Sequence, residues 1–248
     1  MPNEIIDQDE MPPELPMSEP ARLAGVYFSP GKAFADIAVR PRFWAPLIIG
    51  MLLAFGYLYS VGHQIGWERV ARQQLESNPR FLETPAEQRE QGVQITMKIL
   101  TVVSYVSPVV VVIFTLIMAG VLMLVFNAML GARLRFVQVF AVVAYAGLAR
   151  AIESILSIVM VYVKNPDQFD FQHPLAFNLG AFLPEGSSKA LLALASSIDL
   201  FTIWSIVLLA IGLSKAAGKM TFGKALAGVA IPWGLLVMIG VIIAAIRG

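Results

Sequence analysis

Arg150 and Glu153 stand three residues apart in the stretch AYAGLARAIESILSIV (144–159), which is otherwise almost wholly apolar. On a helix this spacing puts both side chains on one face, about 4.5 Å apart along the axis and within reach of an ion pair. A third charge, Asp199, lies about ten residues into a later apolar run. If the two runs cross a bilayer in opposite directions, all three groups share a layer near mid-depth. A charged side chain there costs roughly 2.5–3.5 kcal/mol on insertion scales, so mutual pairing is the economical arrangement. One arginine facing two carboxylates leaves a negative surplus, which requires a protonated Glu153 or Asp199 or a cluster open to water. Two chemistries fit: a polar clasp joining two helical hairpins, and a proton or ion relay. The clasp is favoured, because relays in transporters use spans with paired Gly/Pro interruptions. Here Pro108 and Pro232 alone interrupt spans away from their ends.

Other reactive constellations are missing from the sequence. It has no cysteine, which removes disulfides, thiol catalysis and cysteine–zinc sites, and its two histidines, His63 and His173, are too few for a histidine-rich metal centre. There is no HExxH, nucleophile elbow or dinucleotide-binding glycine pattern, so neither a cofactor nor an enzyme is expected. Gly212-Leu-Ser-Lys-Ala-Ala-Gly218-Lys219-Met220 is one residue too long for a P-loop, and Met220 stands where Mg²⁺ needs a hydroxyl. It reads as a basic turn. Asn127 is a secondary polar candidate, able to hydrogen-bond between helices near one membrane surface. Gly62 and Gly66 have the GxxxG spacing that lets helices approach closely.

The elements that must position these residues are membrane helices. The 248 residues are 57% hydrophobic and 14% charged, with a mean hydropathy of +0.72, well outside the range of soluble domains. A net charge of +1 argues against a nucleic-acid partner. Five apolar runs are long enough to span: 43–64, 100–129, 137–162, 190–212 and 225–246. Pro108 is expected to kink the second run, and Thr84-Pro85-Ala86-Glu87 has the form of a capping box that would start it outside the bilayer. Residues 1–20 are acidic and proline-rich without a base, which predicts a disordered tail, followed by a membrane domain over 21–248.

Arg22, Lys32, Arg40, Arg42, Arg133, Arg135, Lys215, Lys219 and Lys224 cluster in short turns or beside helix ends on one side, with Asp36 as the accompanying acid. The positive-inside rule therefore puts the N-terminus in the cytoplasm and the C-terminus outside. Ser29-Pro30 can cap a short interfacial helix to Val39, with Phe34, Ile37 and Ala38 on one face. Trp67, Val70, Ala71 and Leu75 recur at helical spacing in one outer loop, and Phe169, Phe171, Phe177 and Phe182 punctuate the other. Packing against neighbouring loops is the expected role of both. Gly131 to Leu148 and Gly218 to Leu235 resemble one another when Phe136 is set on Phe222. This suggests two parallel helical hairpins after a first helix that stands apart.

Phe28-Ser29-Pro30, Lys32-Ala33-Phe34, Pro41 and Trp44-Ala45-Pro46-Leu47 resemble the opening of bacterial members of the Yip family. Gly131, Phe136, Ala141 to Tyr145 and Leu148 are similar to its third-helix entry, and Asp199-Leu200-Phe201 through Ile231-Pro232-Trp233 to its closing helices. The resemblance spans about residues 22–245. It implies five transmembrane helices with a cytoplasmic N-terminus and an exterior C-terminus; with the internal repeat, the expected fold is all-α, the last four membrane helices forming two hairpins, plus the N-terminal interfacial helix. Eukaryotic members interact with Rab-type GTPases and help shape membranes. The tail here lacks the aromatic-glycine-proline motif of those members, so Rab-type GTPase binding is not implied. Ala149-Arg150 stands where the family has Leu-Pro, so Asp199 looks family-like and Arg150 particular to this chain. The expected function is a non-enzymatic protein of a bacterial inner membrane, acting in membrane organisation or in contact with lipid, other membrane proteins or copies of itself. The alternative is a small transporter or channel subunit using Arg150, Glu153 and Asp199.

Overall fold

The computed structural model of the chain describes residues 16–171, 174–184 and 186–247. The acidic segment 1–15 and His173 lie outside the described residues. Everything regular is helical: among the described residues the one β-type pairing is an isolated bridge between Asn178 and Asp199. The chain is an all-α polytopic membrane protein.

Two short helices come first, α1 (Glu19–Phe28) and α2 (Pro30–Val39). α1 starts two residues inside the expected tail, because the Ser18 hydroxyl accepts the Ala21 N–H and Pro20 fits the first turn. Among the described residues, four helices are long and apolar enough to cross a membrane. They are α3 (Trp44–Gln64), α6 (Ala86–Leu124, continuing through a widened π-type turn over Val125–Met129), the α7–α8 pair (Phe136–Ala146 and Leu148–Val163) and α11 (Phe222–Arg247). α9 (Lys189–Ser197) and α10 (Leu200–Ala216) make a fifth apolar layer in series, so the run expected as one helix over 190–212 is broken at Ile198–Asp199. Outside the spans lie α4 (Trp67–Glu76) and the single turn α5 (Pro79–Leu82).

Several local expectations change for physical reasons. α6 begins at Ala86, but Thr84 forms no capping box, since its hydroxyl is taken by the Phe81 carbonyl at 2.7 Å. Pro108 sits inside α6 without ending it. Proline removes the N–H that would bond the Ser104 carbonyl, and the Ser107 hydroxyl donates to that same carbonyl at 2.9 Å. Such replacement matters in lipid, where an unpaired carbonyl finds no water. Gly62 does not bring two helices together: a Cβ there would lie 2.5 Å from Trp67 Nε1, so the glycine makes room for the indole opening α4. Gly66 takes a φ of +89°, as the turn into α4 requires.

α7 and α8 are the central span, 56% buried over their most apolar stretch against 22% for α6 and 6% for α11. The first membrane helix does not stand apart, because α3 packs along both α6 and α8. The two hairpin turns are built alike, with Gly131 and Gly218 both left-handed and Phe136 and Phe222 each opening the returning helix. Asn127 braces the first of these turns. Its amide donates to the Leu134 carbonyl at 2.9 Å and its oxygen accepts the Leu134 N–H at 2.7 Å. α4 and the second outer loop pack on each other and on the spans: Val61, Ile65, Val70, Val161 and Phe169 form a small core, whereas Phe177 and Phe182 stay exposed.

Candidate functional site

Arg150 and Glu153 lie on α8, one turn past Gly147, where the central span is joined from its two pieces. The guanidinium meets the Glu153 carboxylate at 3.1 Å, and Nη1 donates to the Thr202 hydroxyl of α10 at 3.3 Å. Asp199 was expected as the third ion of a clasp across the hairpins. It is instead the N-cap of α10: one carboxylate oxygen accepts the N–H groups of Phe201 and Thr202, both at 2.9 Å. Among the described residues Arg150 pairs with Glu153 alone, and Asp199 reaches it indirectly, through the residue that both bond. Glu153 still lies within the electrostatic reach of Asp199.

The reason for the break comes from far along the chain. The backbone leaves the helix at Ile198 and Asp199 and is met by the outer loop: Leu179 N–H donates to the Ile198 carbonyl and Leu200 N–H to the Phe177 carbonyl. The loop thus satisfies backbone groups that the interruption frees, which is the condition for a broken helix at membrane depth. Gly180 permits the approach, because a Cβ there would collide with the Ser196 hydroxyl. The layer is not sealed. The Arg150 side chain is 55% exposed and that of Glu153 28%, with Gly147 exposed one turn before.

A second polar network, not anticipated from the sequence, fixes α1 and α2 to the bundle. Arg22 is 2% exposed; its Nε and Nη2 both reach Asp36 Oδ2 at 2.6 Å, and Nη1 reaches Glu19 at 3.1 Å. The Tyr145 hydroxyl of α7 donates to the other Glu19 oxygen at 2.6 Å, and Arg40 pairs with Asp36 at 2.7 Å. Burial alone would lower the Arg22 pKa, but the hydrogen bond and charge of Asp36, with the charge of Glu19, hold it above its ordinary value. Nearby, the Tyr27 hydroxyl donates to the Leu148 carbonyl at 2.6 Å, and the ring packs edge-on against Trp204. Ala33, Phe34, Ile37 and Ala38 are buried, so the expected apolar face of α2 meets protein. Phe34 fits where α10 has Gly212, a position at which any Cβ would strike Phe34 and Val142. The signals for α1 were present, in Ser18 followed by an acidic and a proline first turn, but an acidic, proline-rich context masked them.

The family model for the Yip1 domain matches residues 24–244, which takes in Asp36, Tyr145, Arg150, Glu153 and Asp199. Nothing matches among curated proteins or among solved structures.

Proposed function

Because the chain belongs to the Yip1 domain family, we propose that this integral membrane protein organises its membrane laterally, through contacts of its outer spans with lipid and with other membrane proteins or copies of itself, rather than by chemistry on a soluble substrate. The observation that carries this reading is the contrast between spans. The central α7–α8 pair is more than half buried over its most apolar stretch, while α6 and α11 present nearly bare apolar flanks, including Tyr105, Phe114, Ile231, Leu235 and Leu236. Such flanks suit lipid or a neighbouring helix as solvent. Following the distribution of basic residues, the N-terminus faces the cytoplasm of a bacterial inner membrane and the C-terminus the exterior. Rab-type GTPases are not among the proposed partners.

The absence of cysteine allows a clean test. Phe114→Cys and Ile239→Cys variants, each reconstituted in vesicles, are treated with a bifunctional maleimide. Cross-linking between copies or to co-reconstituted membrane proteins is expected at these positions and not at Val142→Cys, which is buried. Equal reactivity at all three positions contradicts the reading. The runner-up, a transporter or channel subunit, draws on the broken α9–α10 helix beside an ionisable pair. It predicts dissipation of an imposed pH gradient that Glu153→Gln abolishes; lateral organisation predicts none.

A further inference from the structure

We propose that the open seam between α8 and α10 is a passage for phospholipid headgroups. Arg150 takes the phosphate, and the carboxylates of Glu153 and Asp199 take the amine of a zwitterionic phosphoethanolamine. This rests on the reading that the protein works on its own membrane, and names the lipid chemistry it acts upon.

Depth is the first support. At 1.5 Å per residue, Arg150 is about 21 Å from Phe136 and about 20 Å from Val163, midway along the span. The second is direction. Arg150 is largely exposed, and so are the apolar neighbours Leu200, Ile203 and Ile155, so the pair opens on the side that faces acyl chains. A guanidinium held there draws water and phosphate inward, thinning the bilayer locally. The third is continuity. Gly147, Arg150 and Ser154 follow one stripe into and along α8, and Asp199 and Thr202 lie at the start of α10, which packs beside it. A headgroup therefore has polar partners both above and below mid-depth.

Charge selects the headgroup. Arginine carries five donors in a planar fork that fits phosphate, and the bonds to Glu153 and Thr202 engage two of them. Displacing the long 3.3 Å bond to Thr202 frees one face of the fork. One cation beside two carboxyl groups disfavours the net negative phosphoglycerol headgroup and accommodates phosphate and ammonium together. No covalent step is involved.

The experiment uses the full chain in phosphatidylcholine vesicles holding traces of acyl-chain-labelled phosphatidylethanolamine or phosphatidylglycerol. Dithionite quenches the label in the outer leaflet, and the slower loss reports exchange from the inner one. An encapsulated soluble dye checks that the vesicles stay closed. The protein is expected to accelerate exchange over protein-free vesicles, with phosphatidylethanolamine faster than phosphatidylglycerol. Arg150→Leu should slow phosphatidylethanolamine by at least about tenfold. Glu153→Gln should erase the headgroup preference, and Thr202→Val, which leaves the ion pair in place, should slow exchange less. Exchange no faster than in protein-free vesicles overturns the proposal, as does an Arg150→Leu rate equal to the parent's. If Arg150→Leu is not monodisperse, unchanged exchange and preference in Thr202→Val and Glu153→Gln overturn it equally. Exchange lost while cross-linking through α6 and α11 persists sinks the passage alone; loss of that cross-linking sinks the broader reading.

Discussion

Asp36→Ala should detach the N-terminal helices from the bundle. Arg22 is almost fully enclosed and directs two bonds of 2.6 Å to Asp36, leaving one contact of 3.1 Å to Glu19 if the aspartate is removed. Breaking a buried pair from one side costs about 3–5 kcal/mol. Because Glu19 stays in place, the lower end applies, about 3 kcal/mol. For a chain of this size each kcal/mol moves the thermal midpoint by about 2–4 °C, so a fall of about 6–12 °C is expected. The loss should be local first: α1 and α2 are held by this network, Tyr27 and the Phe34 contact, while the spans have their own packing. The assay is thermal denaturation in detergent followed in parallel by helical signal and by tryptic cleavage after Lys32. In Asp36→Ala, cleavage should precede loss of helix. The double change Arg22→Met with Asp36→Leu should restore most of the midpoint, since no unpaired charge remains buried. A parental midpoint in Asp36→Ala, or a double variant worse than the single one, refutes the reasoning.

Three further outcomes follow from the geometry. Gly212→Val should cost about 1–3 kcal/mol by forcing a side chain against Val142 and Phe34, whereas Gly234→Val, with open space around it, should stay within about 0.5 kcal/mol by the same thermal measurement. Asp199→Ala should remove the cap of α10 at about 1 kcal/mol and speed hydrogen exchange at Phe201 and Thr202, while Asp199→Asn, still able to cap, should change little. Asn127→Leu should lose both bonds to Leu134, roughly 0.5–1.5 kcal/mol each, and expose Arg133 and Arg135 to faster trypsin cleavage.

The membrane helices were legible because apolar length is a local property. The expected 137–162 and 225–246 lie within Phe136–Val163 and Phe222–Arg247, and the short helix after Ser29-Pro30 lies at Pro30–Val39 with Phe34, Ile37 and Ala38 on one face. What the sequence hid is what distant residues decide. The break at Asp199 depends on Phe177 and Leu179 supplying hydrogen bonds from a loop, so an apolar run that satisfies the length rule for one helix became two. Aspartate after Ser196-Ser197-Ile198 and before Leu-Phe-Thr was itself a cap signature, outweighed by hydropathy. Arg150 and Glu153 were visible by spacing, but their open edge follows from the placement of α10. Arg22 and Asp36 were counted merely as charges beside the membrane, because their pairing needs α1, which composition concealed.

The central claim is that the charged layer of the third span stands open at mid-depth. Its most direct test is the water accessibility of a thiol on the Arg150 stripe, in a chain that has no other. Ser154→Cys and Val159→Cys proteins in sealed vesicles are treated with a small hydrophilic thiosulfonate. The account predicts rapid modification at position 154, one turn beyond Arg150, and little at position 159 on the apolar flank of the same helix. Equal inertness at both positions would mean a closed, dry layer and would contradict it.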